Sequence, residues 1–321
     1  MNVGAVCAYI LVRRHMELAF EKMHGLGNDF AVIEDWDSEI ELSQEQIQML
    51  CDRHFGIGAD GLIFVRSSKE ADCCAFMHYI NSDGSLAQMC GNGVRCFAKY
   101  IVDHGFVPCD ADEVNVETRA GIRQIKFETD DQGKLVTATV NMGSPILEPQ
   151  EVPTTCSANA QTQDATNYAK EVPLNSPWGD FKFTMVSMGN PHAVCFVESW
   201  DELPDDVFND PQNKSLDTFS LEKVGSHYEK HSAFPEKCNI EFVDKQDDVL
   251  AVRVWERGCG ETLACGTGAC AVSVAATLTQ RSGDTNTVAL PGGKLTIQWT
   301  SEGSVFMTGA AQTVYKGTIT V

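Results

Sequence analysis

Two cysteines in this chain open closely similar glycine-rich stretches. Cys90 begins "CGNGVRC" and Cys265 begins "CGTGAC", and each stretch runs on into an apolar segment of helical character. A cysteine just ahead of a helix lies near unsatisfied backbone N–H groups and the positive end of the helix dipole. That placement predicts a thiol whose ionised form is favoured, with a pKa drawn from about 8.5 toward about 7 or lower. The glycines let the backbone approach a ligand closely, and the exposed N–H groups can hold a carboxylate. One such motif offers a nucleophile or a base together with an anion cradle. Two of them facing one point offer more: a thiolate removes an α-proton from one side of a carbon while a thiol returns a proton to the other. The carboxylate, held by both sets of N–H groups, carries the charge that develops in between.

The surroundings of the two cysteines are also duplicated. "MHGLGNDFAVIED" around Asn28 matches "VSMGNPHAVCFVES" around Asn190, and Asn81 precedes Cys90 by nine residues, as Glu256 precedes Cys265. Two periods are too few for a solenoid and predict a pair of similar domains facing each other. Alternating apolar stretches such as "ELAFEKMHG", "FAVIEDW", "VNVETRAG", "IRQIKFET" and "KLVTATVNMG" read as strands. Helices are expected over residues 43–54, with Ser43 as cap, and over 92–102 and 267–279. The class is therefore mixed, α/β or α+β, with more sheet than helix. Residues 148–180, rich in Pro, Thr, Gln and Asn, read as an extended surface insertion, and residues 201–223 as a second exposed excursion.

Composition narrows the partners. Of 321 residues, 45 are acidic and 24 basic, a formal charge of −21 that argues against nucleic acid and against anionic membrane surfaces. The 13 cysteines are an odd number in a long chain, which fits a reduced, cytoplasmic protein better than a disulfide scaffold. No run approaches the roughly 20 apolar residues needed to span a bilayer. In residues 1–15 the arginines follow the apolar run instead of preceding it, so this segment reads as an extension ahead of Met16 and not as a signal peptide. Cys73, Cys74, Cys195, Cys96 and Cys270 read as small packing residues.

Through "MHGLGNDF", "RHFGIGADG", "NSDGSLAQMCGNGVRC", "MGNPHAV", "NIEFV" and "ERGCGETLACGTGACA", the chain resembles the diaminopimelate epimerases from about residue 16 to residue 321. These are pyridoxal-independent amino-acid epimerases of lysine and peptidoglycan biosynthesis. The resemblance implies two similar domains, each a curved, mostly antiparallel sheet around a central helix, divided as residues 16–137 with the terminal strand 308–321, and residues 138–307. It places the active site in the cleft between them and implies interconversion of LL- and meso-2,6-diaminopimelate without metal or organic cofactor. Carried over by position, Cys90 is the proton acceptor and Cys265 the donor in one direction, with the roles exchanged in reverse. Gly91, Asn92, Gly266 and Thr267 hold the reacting carboxylate. Asn28, Asn81, Asn190, Asn239, Glu256 and Arg257 contact substrate, with the Arg257 fork suited to the distal carboxylate. His192 and Glu256 adjust the proton affinity of the thiols, and Tyr315 lies at a homodimer contact. Gly61 stands where some family members have a pocket glutamine.

Plainer readings stay open at this point. His192 could be a structural histidine, Glu256 and Arg257 a simple ion pair, and Tyr315 a strand aromatic. A cysteine metal or iron–sulfur site is a second class, although close CxxC pairs are missing. A non-catalytic amino-acid-binding module is a third. Within enzymes, proline racemases and hydroxyproline epimerases share paired-cysteine chemistry, but Asn81, Asn239 and Arg257 favour a substrate with two amino-acid ends.

Overall fold

The computed structural model describes residues 16–87 and 90–321, so the extension read over residues 1–15 lies outside the described residues. The chain starts with the antiparallel pair β1 (Glu17–Gly25) and β2 (Asn28–Glu34). Helix α1 (Gln44–Cys51) follows, started by a capping box in which Ser43 and Gln46 satisfy each other's backbone N–H groups. Strand β3 (Gly61–Arg66) returns parallel to β2, and β4 (Phe76–Asn81) runs antiparallel to β3. Helix α2 (Gly91–Asp103) precedes β5 (Glu113–Thr118), β6 (Gly121–Thr129) and β7 (Leu135–Gly143). A small ribbon, β8 (Ala160–Gln161) with β9 (Asn167–Tyr168), and the short β10 (Val172–Leu174) lead into the second half.

That half repeats the order. It runs β11 (Phe181–Ser187), β12 (Pro191–Phe196), α3 (Leu221–Glu229), β13 (Asn239–Gln246), β14 (Val249–Glu256) and a short added strand, β15 (Gly260–Thr262). Helix α4 (Gly266–Leu278), β16 (Thr285–Leu290), β17 (Gly293–Trp299) and β18 (Val305–Ala310) complete it. The parallel pairs recur at the same places, β2 with β3 and β4 with β5, then β12 with β13 and β14 with β16. β7 pairs with β18 across the halves, and the final strand β19 (Gln312–Thr320) returns to pair with β1. The 137/138 division expected from the resemblance falls inside β7, and residues 308–321 take in the end of β18 with β19.

Each half wraps its sheet around one helix. In α4 the run from Ala269 to Ala276 is buried on every side, and in α2 Val94, Arg95, Cys96, Phe97, Ala98 and Ile101 are fully enclosed. A helix that is apolar all round, as α4 is, has to be interior, whereas α2 is enclosed along most of its length but keeps Lys99 and Asp103 partly exposed; both helices carry their cysteine motifs inward. Two sequence expectations are corrected. Val152, Tyr168, Ala169 and Leu174 are buried, so residues 148–180 are anchored in the core, and β10 covers β11 much as β19 covers β1. Val207, Phe208, Leu216 and Phe219 likewise bury into an aromatic cluster with Phe181 and Phe242. These anchors stand singly or in adjacent pairs among polar residues, so no periodicity announces them. Cys96, Cys195 and Cys270 are buried as expected, whereas Cys73 and Cys74 are only half-buried; all twelve described cysteines are free thiols. Among the described residues no helix is long and apolar enough to cross a membrane.

Candidate active site

The two cysteines occupy the same place in the two halves. Cys90 is the N-cap of α2 with φ −138° and ψ 121°, and Cys265 is the N-cap of α4 with φ −119° and ψ 111°. Both are extended, which turns each thiol toward the first turn of its helix. Cys90 Sγ donates to Asn28 Oδ1 at 3.5 Å, while Cys265 Sγ accepts from the Gly268 N–H at 3.4 Å and lies 3.5 Å from Thr267 Oγ1. The helix ends meet. Asn92 Nδ2 donates both to Asn28 Oδ1 (3.2 Å), the acceptor used by Cys90, and to the carbonyl of Ala264 (3.3 Å), the residue before Cys265. Close approach needs the glycines: a Cβ on Gly91 would lie 2.7 Å from Met307 Cε, and one on Gly266 3.3 Å from Met307 Sδ.

This enclosure reverses the expected direction of the thiol pKa values. Burial pushes Cys90 up, outweighing the Gly93 and Asn92 N–H groups and the nearby Arg95, which pull it down. Burial pushes Cys265 up further, with the negative charges of Glu256 and Glu241 adding to it, against Thr267 and Gly268. The helix N-termini therefore act as the sequence suggests, but desolvation is larger. Glu256 acts on both thiols.

The remaining residues frame this centre. His192 is fully buried, with Nδ1 2.6 Å from Glu241 Oε1 and Nε2 3.1 Å from Asn190 Oδ1. Glu241 is also fully buried, and its other oxygen has no hydrogen-bond partner among the described residues. Sequence reasoning missed Glu241, although an acid within the apolar alternation "NIEFV" was a visible signal. Asn239 is committed at both ends, donating to Pro191 O and accepting from the Arg257 N–H, each at 2.8 Å, so it ties the ends of β12, β13 and β14 together. Glu256 accepts from Thr262 Oγ1, and Arg257 Nη1 donates to Glu236 O at 3.1 Å. Asn81 Nδ2 donates to Ser85 Oγ at 2.9 Å, and Asn28 Nδ2 to Asp60 Oδ2 at 2.6 Å. An open cleft of about 770 Å³ lies elsewhere, at the C-terminal end of α2. There Lys99 pairs with Asp103, Lys316 and His104 Nε2 contact Glu21, and Lys134 donates to the Asp103 carbonyl.

The diaminopimelate epimerase family model matches residues 20–148 and 184–314, taking in both cysteine motifs. The diaminopimelate epimerases of Leptospira biflexa and Methanococcus maripaludis are each 42% identical to the chain, over 307 and 306 residues, covering 95% of it and 100% of their own length. The chain belongs to the diaminopimelate epimerase family. Its fold extends beyond close relatives: the crystal structure of a hydroxyproline epimerase from Agrobacterium vitis matches with a TM-score of 0.64 at 13% identity, covering 96% of this chain and 92% of that one. In this family member Gly61 is a packing residue, since a Cβ there would lie 2.5 Å from Ile80 O and 2.6 Å from the Tyr79 ring. A glutamine at that position would require β3 and β4 to move apart. Tyr315 lies on an exposed part of β19, edge-on to Phe20, with its hydroxyl donating to Ile57 O at 3.3 Å. Glu256 and Arg257 do not pair with each other among the described contacts, so the simple ion pair is set aside.

Proposed function

We propose that this chain epimerises LL-2,6-diaminopimelate to meso-2,6-diaminopimelate by a two-thiol route. The observation that carries the reading is the meeting of two cysteine-capped helix N-termini across the halves, bridged by Asn92. Cys90 as thiolate takes the α-proton, its sulfur becoming a thiol, and Cys265 gives its proton to the opposite face of the same carbon. The reacting carboxylate lies between the N–H groups that begin α2 and α4, at Gly91, Asn92, Gly266 and Thr267, where negative charge is stabilised. Raised thiol pKa values suit the step, because the thiolate that does form is a stronger base toward a weakly acidic C–H. Asn28, Asn81, Asn190, Asn239, Glu256 and Arg257 take the rest of the substrate, Arg257 the distal carboxylate. His192 and Glu256 tune the thiols.

The enzyme is read as a homodimer through β19, where Val314 and Tyr315 expose apolar surface. Its free thiols suit the reducing cytoplasm. Incubation with LL-diaminopimelate in deuterium oxide tests the reading: meso product carrying α-deuterium is expected. Turnover of proline or hydroxyproline instead, with no exchange into diaminopimelate, would overturn it.

A further inference from the structure

Arg95 is buried in a way that packing alone does not explain. Its side chain is wholly enclosed, and its guanidinium donates only to neutral acceptors: Asn92 Oδ1 at 2.8 Å, the carbonyls of Gly91 and Ala310 at 3.3 Å each, and Met307 Sδ at 3.6 Å. Among the described residues no carboxylate pairs with it, and the groups that act on its charge are the thiols of Cys96, Cys90 and Cys270. Burying a cation without a counter-ion is costly, and a hydrophobic residue of similar volume would avoid the cost.

The internal repeat shows what was changed between the halves. Counted from the two cysteines, Arg95 corresponds to Cys270. In the strands, Phe30 pairs with Gly61 as His192 pairs with Asn239, so Ile63 corresponds to Glu241. The correspondence holds in space. A Cβ on Gly93 would meet Ile63 Cδ1 at 3.3 Å and Cys90 Cβ at 3.5 Å; a Cβ on Gly268 would meet Glu241 Oε1 at 2.9 Å and Cys265 Cβ at 3.2 Å. One frame thus carries a cation near its thiol, and the other carries an acid at the place where the first has isoleucine.

The charged and titratable groups facing Cys90 are Arg95 on α2, Glu256 at the end of β14, Tyr79 on β4 and Cys96 nearly two turns along α2. Those facing Cys265 are Glu256 and Glu241, the latter bonded to His192. Glu256 reaches both but unequally: it is the leading charge on Cys265 and the weakest influence on Cys90, so it adds to the difference between them. Of these two thiols, Arg95 acts on Cys90 alone and Glu241 on Cys265 alone.

We propose that Arg95 and Glu241 are positioning residues that make the two thiols unequal, so that in the free enzyme Cys90 ionises first and Cys265 keeps its proton. The proposal rests on the two-thiol reading above. It has a mechanistic consequence: one direction of turnover starts from the resting protonation state, and after it a proton must pass from Cys90 back to Cys265 before the next. Arg95 contributes geometry as well, because holding Asn92 Oδ1 turns Asn92 Nδ2 toward Asn28 and Ala264.

The test is alkylation of the full chain by iodoacetamide across the neutral and alkaline range, with peptide mapping to follow each thiol separately. The wild type is expected to show a lower midpoint for Cys90 than for Cys265. Arg95→Lys and Arg95→Gln both lose the fork, but only the second loses the charge, so Arg95→Gln is expected to raise the Cys90 midpoint about one unit above Arg95→Lys. Glu241→Gln is expected to lower the Cys265 midpoint and leave Cys90 in place. Equal midpoints in the wild type, or a Cys90 midpoint that is the same in Arg95→Lys and Arg95→Gln, overturns the proposal. Should Arg95→Gln fail to fold by circular dichroism, the wild-type and Glu241→Gln midpoints decide. Deuterium exchange into diaminopimelate on the same preparations reports on the epimerase reading by itself, so the two failures are separable.

Discussion

Replacing Asn92 by alanine removes three hydrogen bonds that converge on one buried side chain. Nδ2 loses Asn28 Oδ1 and Ala264 O, and Arg95 loses its shortest acceptor. Neutral bonds of this kind contribute about 1 kcal/mol each and a bond to a charged group about 1.5 to 3 kcal/mol, so the summed loss is about 3 to 5 kcal/mol if the site cannot relax. For a chain of this size that lowers Tm by about 6 to 10 °C, at roughly 2 °C per kcal/mol. Activity is expected to fall further than stability, because the bond to Ala264 is the tie between the two helix N-termini. Asn92→Asp separates the contributions. It returns an acceptor to Arg95, now as a salt bridge, and removes the donor that spans the halves. Stability should recover part of the way relative to Asn92→Ala. The epimerisation rate should not, and the alkylation midpoint of Cys90 should rise, since the introduced carboxylate then neutralises the charge of Arg95. Urea unfolding, mapped alkylation and diaminopimelate turnover on both variants provide the measurements. An Asn92→Ala protein within about 0.5 kcal/mol of wild type and within twofold of its kcat/KM would refute the bridging role.

Other expected outcomes are more direct. Cys90→Ala and Cys265→Ala should each lower kcat by orders of magnitude, because one face of the carbon loses its proton carrier, while Cys96→Ala, on the buried face of α2, should alter stability and spare turnover. Near-normal turnover in either of the first two would end the two-thiol reading. Since burial raises both thiols, kcat/KM should climb with pH through the alkaline range, and a profile that is flat from neutral pH upward would contradict it. At Asp29 burial alone would raise the carboxyl, but hydrogen bonds from Arg53 and Lys22 hold it at about 2. Its stabilisation, on the order of 2 kcal/mol, is present above the ordinary carboxylate pKa and lost as pH falls through about 2. The stability gap between wild type and Asp29→Asn should therefore narrow on acidification from about pH 5 to about pH 2, and a constant gap would exclude this account.

Local signals carried most of the frame. The stretch "ELAFEKMHG" is β1 to the residue, the Ser43 cap holds, and both cysteine helices begin within a residue of where the motifs place them. What escaped depends on contacts between distant segments. Helix α3 has a glycine at its centre, Gly225, which weakens any helical reading, yet a Cβ there would lie 2.7 Å from Trp255 Cβ. The glycine is required by a strand 30 residues further on. Glu241 and Arg95 escaped for a related reason: the partner of Glu241, His192, is 49 residues away on the neighbouring parallel strand, and Met307 and Ala310 reach Arg95 from β18 of the other half.

The thiols show how a local rule and a global one compete. A cysteine at a helix N-terminus is a statement about a few neighbouring residues, and it correctly places N–H groups of α2 and α4 against the two sulfurs. How far the sulfurs are desolvated depends instead on Met307, on the buried strands and on the contact between the helix ends, all of which are set by tertiary packing. Desolvation wins. For a nucleophile attacking an electrophilic centre that would be a handicap, because little thiolate would be present at neutral pH. For removing a proton from carbon the balance differs: basicity matters as much as population, and a thiolate that is scarce in water-poor surroundings is the stronger base once formed. The same enclosure strengthens the hold of the helix N-termini on a bound carboxylate, since both act across a low-dielectric gap. The one direction that sequence reasoning mistook is thus the one that separates proton transfer at carbon from ordinary thiol chemistry.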